Sequence, residues 1–295
     1  MLNTHFGRPI GRIDNKLTLY IVDPDSDKFK AQINKIKGSK IKKSIKCCRY
    51  HGIKCNEYGE CCNRCPTFYE SSEEDIEDFG MKEYHTNNEI KPLPDFTQRF
   101  VEYIAGPSGS GKSTMSVSLA KEYQREFPNK KIFIFSRTKA KDDPAYKDLK
   151  YKQFLIDEEL LNNPLDITKE VSKDGCLLIF DDCGTIPNEA LKKEIERIIC
   201  DAAEVGRKLQ VSMIITNHLV IPTDKKFART LLNEMTTFSC FPKSGSAQQI
   251  NYAAKTYFGL SRKQIENILH LNSRYVRINK GYPQFIQYSK GANIL

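Results

Sequence analysis

The chain has no run of about twenty apolar residues, the length a helix needs to cross a bilayer, so no membrane span is expected. Its opening residues, MLNTHFGRPI, lack the apolar core of a secretory leader. Both absences point to an intracellular, cytoplasmic setting, where thiols stay reduced. The second half also lacks an Asn-Lys-x-Asp motif, the pattern that reads a guanine base, and this weighs against a GTPase. No extreme of composition appears: 39 % hydrophobic and 10 % aromatic residues allow a packed core and argue against global disorder. A length of 295 residues suits one large domain, or one domain with an appendage. The formal charge of +9 fits an anionic partner, nucleic acid first, or simply a lysine-rich soluble surface.

Among what is present, one stretch organises the rest: Gly106-Pro107-Ser108-Gly109-Ser110-Gly111-Lys112-Ser113-Thr114. It follows the apolar run 100–105 and opens onto residues 112–127, where Met115, Leu119, Tyr123 and Phe127 recur at helical spacing. This is the G-x-x-x-x-G-K-[ST] pattern in a strand–loop–helix setting. Gly106, Gly109 and Gly111 let the backbone turn its N–H groups toward a polyphosphate. Lys112 reaches the terminal phosphates, and Ser113 completes the shell of a phosphate-bound magnesium ion. The helix aims its positive dipole end at the same anion. The expected ligands are therefore ATP and Mg2+.

Residues 131–136 (KIFIFS) read as a buried strand and 142–151 as a charged surface connection. Residues 176–182 (CLLIFDD) describe a second buried strand that delivers Asp181 and Asp182 at its C-terminal edge, where an α/β sheet holds its ligand. Asp181 suits magnesium held through water, and Asp182 is placed to orient or deprotonate an attacking water. Asn188 caps an amphipathic helix whose buried stripe is Leu191, Ile195, Ile198, Ile199 and Ala202, with Gly206 and Arg207 after its end. The strand 209–216 then ends in Asn217 and His218, where an amide can sense a γ-phosphate or serve only as a cap or turn. A complete strand between the loop's helix and the acidic strand fits the phosphate-loop class with an additional strand, which hydrolyses NTP to do mechanical work.

The N-terminal third differs in character. Residues 17–23 read as a short strand, and 28–46 form a lysine-rich segment that no aromatic interrupts. Cys47, Cys48, His51, Cys55, Cys61, Cys62 and Cys65 follow. Cys48-x-x-His51 and Cys62-x-x-Cys65 have metal-knuckle spacing and suit a structural zinc ion, while a small disulfide knot and free thiols remain open readings. Residues 70–78 are an acidic linker, and Pro92 and Pro94 mark the entry to the main domain. The expected architecture is α/β: a P-loop NTPase domain with a mainly parallel sheet over 91–295, and a small cysteine-rich region over 1–90. The C-terminal part is expected to hold helices at 225–235 and 247–257, and another behind a Ser261–Gln264 capping box. A hairpin at 275–288 carries Arg274, Arg277, Tyr282 and, just beyond it, Lys290; it reads as a plain edge hairpin, or as a DNA contact.

Residues 106–114, the Phe135-Ser136-Arg137 tip, residues 178–182, Gly206-Arg207 and residues 215–218 together resemble the ATPases of large nucleocytoplasmic DNA viruses. These belong to the HerA/FtsK-like branch, which includes viral genome-packaging ATPases. Residues 228–242 and the closing hairpin are similar to the same group, so the resemblance spans about 89–295 and leaves out the cysteine cluster. It implies phosphate and magnesium binding by Lys112 and Ser113, with Asp181 as the magnesium acid. Asp182 stands where many relatives have glutamate, one methylene longer, and Asn217 stands where glutamine or a similar sensor is usual. Arg207 matches the position from which relatives offer an arginine to a neighbouring subunit's nucleotide; its alternative is a cation closing a helix C-terminus. The resemblance further implies magnesium-dependent ATP hydrolysis coupled to translocation or packaging of double-stranded DNA. With it come a homo-oligomeric ring, a viral capsid or membrane-protein partner, and a place in a virion or viral factory. Two other functions compete: a guanylate-type kinase, whose loop is spelled the same way, and a non-catalytic nucleotide switch or scaffold.

Overall fold

The computed structural model describes residues 1–4, 6–14, 17–27, 30–31, 81–163, 165–166 and 175–295. Most of the lysine-rich segment, the acidic linker, and the cysteine cluster with Cys48, His51, Cys62 and Cys65 lie outside the described residues.

The N-terminal strands are β1 (Leu2–Asn3), β2 (Arg8–Ile13), β3 (Leu17–Ile21), β4 (Glu83–His85) and β5 (Ile90–Pro92). Then come β6 (Val101–Ala105), α1 (Lys112–Glu126), β7 (Lys131–Ser136), β8 (Lys152–Leu155), α2 (Glu158–Asn162) and β9 (Cys176–Phe180). They are followed by α3 (Glu189–Glu204), β10 (Val211–Asn217), α4 (Lys225–Glu234), β11 (Thr237–Cys240), α5 (Ala247–Phe258) and α6 (Arg262–His270). The chain closes with β12 (Val276–Asn279), β13 (Phe285–Tyr288) and β14 (Gly291–Ile294).

The large sheet has ten strands in the order β4-β14-β13-β12-β11-β6-β10-β9-β7-β8. From β11 to β8 neighbouring strands run parallel, and from β11 to β4 they run antiparallel. β10 lies between the phosphate-loop strand β6 and the acidic strand β9, which is the additional-strand arrangement. Both faces are covered, so β6, β9 and β10 are buried throughout; β9 is a continuous apolar run, while β6 carries Glu102 and β10 carries Ser212, Thr216 and Asn217. Side chains alternate: Met213 and Ile215 of β10 pack with Ile195 and Ile199 of α3 and Leu231 of α4. Ile214 packs with Met115, Leu119 and Tyr123, the expected stripe of α1. Asn188 caps α3 by accepting from the Ala190 and Leu191 amides, and the Ser261–Gln264 capping box opens α6.

Three regions depart from the sequence reading. Residues 142–151 are not merely a surface connection: short turns at Ala140–Asp142 and Pro144–Tyr146 bury Tyr146, and β8 follows, a half-exposed strand too short to announce itself. The C-terminal hairpin is not an edge. β12 and β13 are fully buried, with β11 on one side and β14 and β4 on the other. Arg277 accordingly points inside rather than toward a ligand. Around residue 90 the chain passes from one sheet to another: β4 pairs with β14, while β5 pairs with β2 in a four-stranded sheet of order β1-β3-β2-β5. That small sheet shares a core with the large one, where Leu2, Ile10, Leu19 and Ile90 meet Phe285 and Ala292. Arg12 of β2 also reaches Glu122 of α1 at 3.1 Å.

Candidate nucleotide site

Three parallel strands, β6, β10 and β9, end at one edge of the sheet. Their register sets Ala105 beside Asn217 and Phe180 beside Ile215, so the glycine-rich loop, the acid pair and Asn217-His218 emerge together. The Gly106 amide donates to the Asn217 carbonyl at 3.0 Å, fixing the loop's first residue to the neighbouring strand. Gly109 and Gly111 have φ of +74° and +109°, left-handed values that favour glycine. Gly111 precedes α1 with no side-chain cap, so the first-turn N–H groups stay available to an anion.

Lys112 is 5 % exposed, and its ammonium is held in three directions. It donates to the Pro107 carbonyl at 3.3 Å and lies 3.5 Å from Nδ1 of His218 and 3.7 Å from Oδ1 of Asp182. The Asp182 backbone is left-handed, at φ 50° and ψ 40°, a conformation aspartate tolerates better than most residues. Its amide donates to the Thr216 hydroxyl at 2.8 Å. That hydroxyl donates in turn to Oδ1 of Asp181 at 2.9 Å, and the Tyr146 hydroxyl donates to Oδ2 at 2.9 Å. The other Asp182 oxygen, Oδ2, lies 3.3 Å from Nε2 of His218.

The electrostatics suit a cationic ligand. Burial pushes the Asp181 carboxyl up; the hydrogen bonds from Tyr146 and Thr216 pull it down, and the negative charges of Asp182 and Asp143 push it up again. A divalent cation would offset those last terms. Among the described residues no group of three or more His, Cys, Asp or Glu side chains could hold a metal. Magnesium, however, keeps several waters and phosphate oxygens, so a site for it needs only one or two protein donors. Two buried polar atoms at the site, Oγ of Ser110 and Oδ1 of Asp182, lack a hydrogen-bond partner, as expected where ligand or water completes the set. The residues present thus fit a magnesium nucleotide.

Other expected residues are placed differently. Asn217 is 5 % exposed, and its Oδ1 accepts from the Leu219 amide at 3.3 Å. A Cβ on Gly184 would lie 2.1 Å from that oxygen, so the amide fills a notch on the face covered by α3 and α4. The turn reading describes Asn217, and it is the His218 ring that reaches the loop lysine. Arg207 is exposed and precedes β10, whereas the phosphate loop lies beyond its other end, about 20 Å away at about 3.3 Å per residue. Arg207 is not the cation closing α3 either. Arg99 does that, donating to the carbonyls of Ala202 and Ala203 at 3.0 and 2.8 Å, and to that of Val211 at 2.7 Å.

The sequence reading missed three contributors. Tyr146 sat in a segment without periodicity. Thr216 looked like the end of an apolar strand. Arg274 had been grouped with the basic hairpin, yet it donates to the loop carbonyls of Ser110 at 2.9 Å and Gly109 at 3.2 Å. Only the His218 position had a visible signal, a polar tip on a buried strand. Arg137 is exposed and donates to the Thr185 carbonyl at 3.0 Å.

No family model matches the chain. Over 204 residues it is 42 % identical to the uncharacterized protein V3 of Sputnik virophage, covering 69 % of this chain and 80 % of that protein. Among solved structures it is similar to B204, the DNA-packaging ATPase of Sulfolobus turreted icosahedral virus, at 13 % identity and a TM-score of 0.46, over 65 % of this chain and 98 % of that one. It is also similar to the pCW3 conjugation coupling protein TcpA, at 13 % identity and a TM-score of 0.48, over 70 % of this chain and 63 % of that one. The chain belongs to the family of the Sputnik virophage protein V3, and its sheet order is that of a P-loop NTPase of the additional-strand class.

Proposed function

We propose that the protein hydrolyses ATP with magnesium and couples the reaction to movement of double-stranded DNA, as a homo-oligomeric ring. The observation that carries the chemistry is Lys112 set 3.7 Å from Asp182 where the phosphate-loop strand and the acidic strand end. The loop amides and Lys112 bind the phosphates. Ser113 and, through water, Asp181 would hold magnesium, which neutralises charge developing on the phosphoryl oxygens. Asp182, with one oxygen unpartnered, orients a water and accepts its proton as the water oxygen bonds the γ-phosphorus. The bond from the γ-phosphorus to the bridging oxygen breaks, and ADP leaves with that electron pair. Arg274 braces the loop from behind through two backbone carbonyls.

A nucleotide kinase has no use for an acid beside the loop lysine, and this favours hydrolysis. DNA as the partner rests on the motif resemblance and the charge of +9. Arg207 is assigned to a neighbouring subunit's nucleotide because it cannot reach its own. Steady-state ATP hydrolysis by wild type and Asp182→Asn, with and without duplex DNA across a salt series, tests the reading. Turnover stimulated by duplex, weaker at high salt and at least about a hundredfold lower in Asp182→Asn, supports it. Turnover indifferent to DNA at every salt concentration overturns the translocase, and phosphate transfer to a nucleoside monophosphate overturns the hydrolase.

A further inference from the structure

We propose that His218, rather than the amide before it, senses the terminal phosphate and reports its presence to Asp182. This rests on the site being a nucleoside triphosphatase, and it assigns a role that the site's motifs do not. The imidazole is bracketed: Nδ1 is 3.5 Å from the Lys112 ammonium, and Nε2 is 3.3 Å from Oδ2 of Asp182. Lys112 also lies 3.7 Å from Oδ1 of the same carboxylate, so lysine, acid and imidazole close a triangle across the mouth of the loop. Asn217 is unavailable for the task, because its amide is buried, holds the Leu219 N–H and fills the notch at Gly184.

The triangle cannot survive a triphosphate unchanged. Lys112 is the group that a phosphate loop presents to the terminal phosphates, and an ammonium drawn to them leaves His218 and Asp182. The ring takes a second proton from solvent, so that Nδ1 donates to the terminal phosphate while Nε2 keeps donating to the carboxylate that handles the water. A diphosphate draws the ammonium to its β-phosphate but puts no phosphate against Nδ1. His218 thereby gains a phosphate contact with triphosphate that diphosphate does not supply, while its other nitrogen stays on Asp182. The ring is 30 % exposed, so a ligand entering the loop can reach it.

His218 also has a path outward. The Leu219 carbonyl accepts from the Tyr103 hydroxyl at 2.6 Å, and the Val220 amide donates to Oε1 of Gln249 on α5 at 3.2 Å. Asp224, a few residues on, caps α4. The segment after His218 is thus tied to β6 and to α5.

The test compares the full-length wild type, His218→Ala, His218→Gln and Asn217→Ala. Kd is measured for ADP and for a non-hydrolysable ATP analogue by calorimetry, alongside kcat, KM and Tm. The expected result for His218→Ala is a roughly tenfold loss of the preference for triphosphate over diphosphate, an unchanged Tm, and a fall in kcat larger than the rise in KM. His218→Gln, which keeps a hydrogen-bonding group, is expected to recover part of the preference. Asn217→Ala is expected to lower Tm and leave the preference intact. A wild type that prefers triphosphate, with the preference undiminished in His218→Ala, overturns this proposal alone. A wild type that binds neither nucleotide overturns the reading of the site and the proposal with it.

Discussion

The environment of Asp181 resists its own charge. Burial raises its carboxyl and the charges of Asp182 and Asp143 reinforce the shift, while Tyr146 and Thr216 oppose it. A raised carboxyl binds its proton more tightly in the fold than in the unfolded chain. The fold therefore holds this contribution below the ordinary carboxylate range and gives it up as pH rises through the raised value. At neutral pH without magnesium the ionised group is a net cost. Asp181→Asn is accordingly expected to raise the Tm of the nucleotide-free protein by a few degrees, about 2–4 °C for about 1 kcal/mol, while abolishing turnover. Scanning calorimetry and phosphate release on the same sample check both halves; a lower Tm at neutral pH would refute the account of its charge.

Between strands, the buried polar element is the Glu102–Arg277 pair, 0 % and 2 % exposed. Nη2 of Arg277 donates to Glu102 at 2.8 Å, the Ser239 hydroxyl donates to the same carboxylate at 2.6 Å, and Nη1 of Arg277 donates to the Leu93 carbonyl at 2.9 Å. The network spans β6, β11 and β12 and so ties the phosphate-loop strand to the C-terminal hairpin. Removing one partner strands a buried charge, so Glu102→Met or Arg277→Met is expected to cost about 3–5 kcal/mol. The double variant is expected to cost markedly less than the sum of the two, read from urea unfolding at equilibrium. From the sequence, Arg277 reads as part of a basic hairpin, a plain edge or a DNA contact. Periodicity alone cannot tell an edge strand from one that later strands cover, and β14 and β4 do the covering from distant parts of the chain.

For the whole molecule, the proposed ring would make assembly part of the chemistry, because Arg207 stands apart from its own phosphate loop. Arg207→Ala is expected to lower kcat by about a thousandfold while leaving nucleotide binding unchanged. Mixing it with Lys112→Ala is then informative, because the first protomer keeps a complete loop and the second keeps the arginine. Activity is expected to reappear in the mixture, measured as phosphate release against mixing ratio. Two inactive variants that stay inactive at every ratio would show that Arg207 does not act between subunits.

The chain order alone determined the phosphate loop, the acid pair and the helix caps; the strand it sets between loop and acids, residues 131–136, lies beyond β9 in the sheet, and β10 fills the gap. Those depend on local pattern: glycine where φ is positive, apolar runs where both faces are covered, and Asn or Ser before a helix. What only the tertiary structure decided was which side chains meet. Asn217 and His218 are adjacent in sequence, yet one closes a turn beside Gly184 and the other reaches Lys112, because β10 ends at Asn217 and the chain bends at His218. Tyr146, Thr216, Arg99 and Arg274 reach their partners across long stretches of chain, and no local signal carries such a contact.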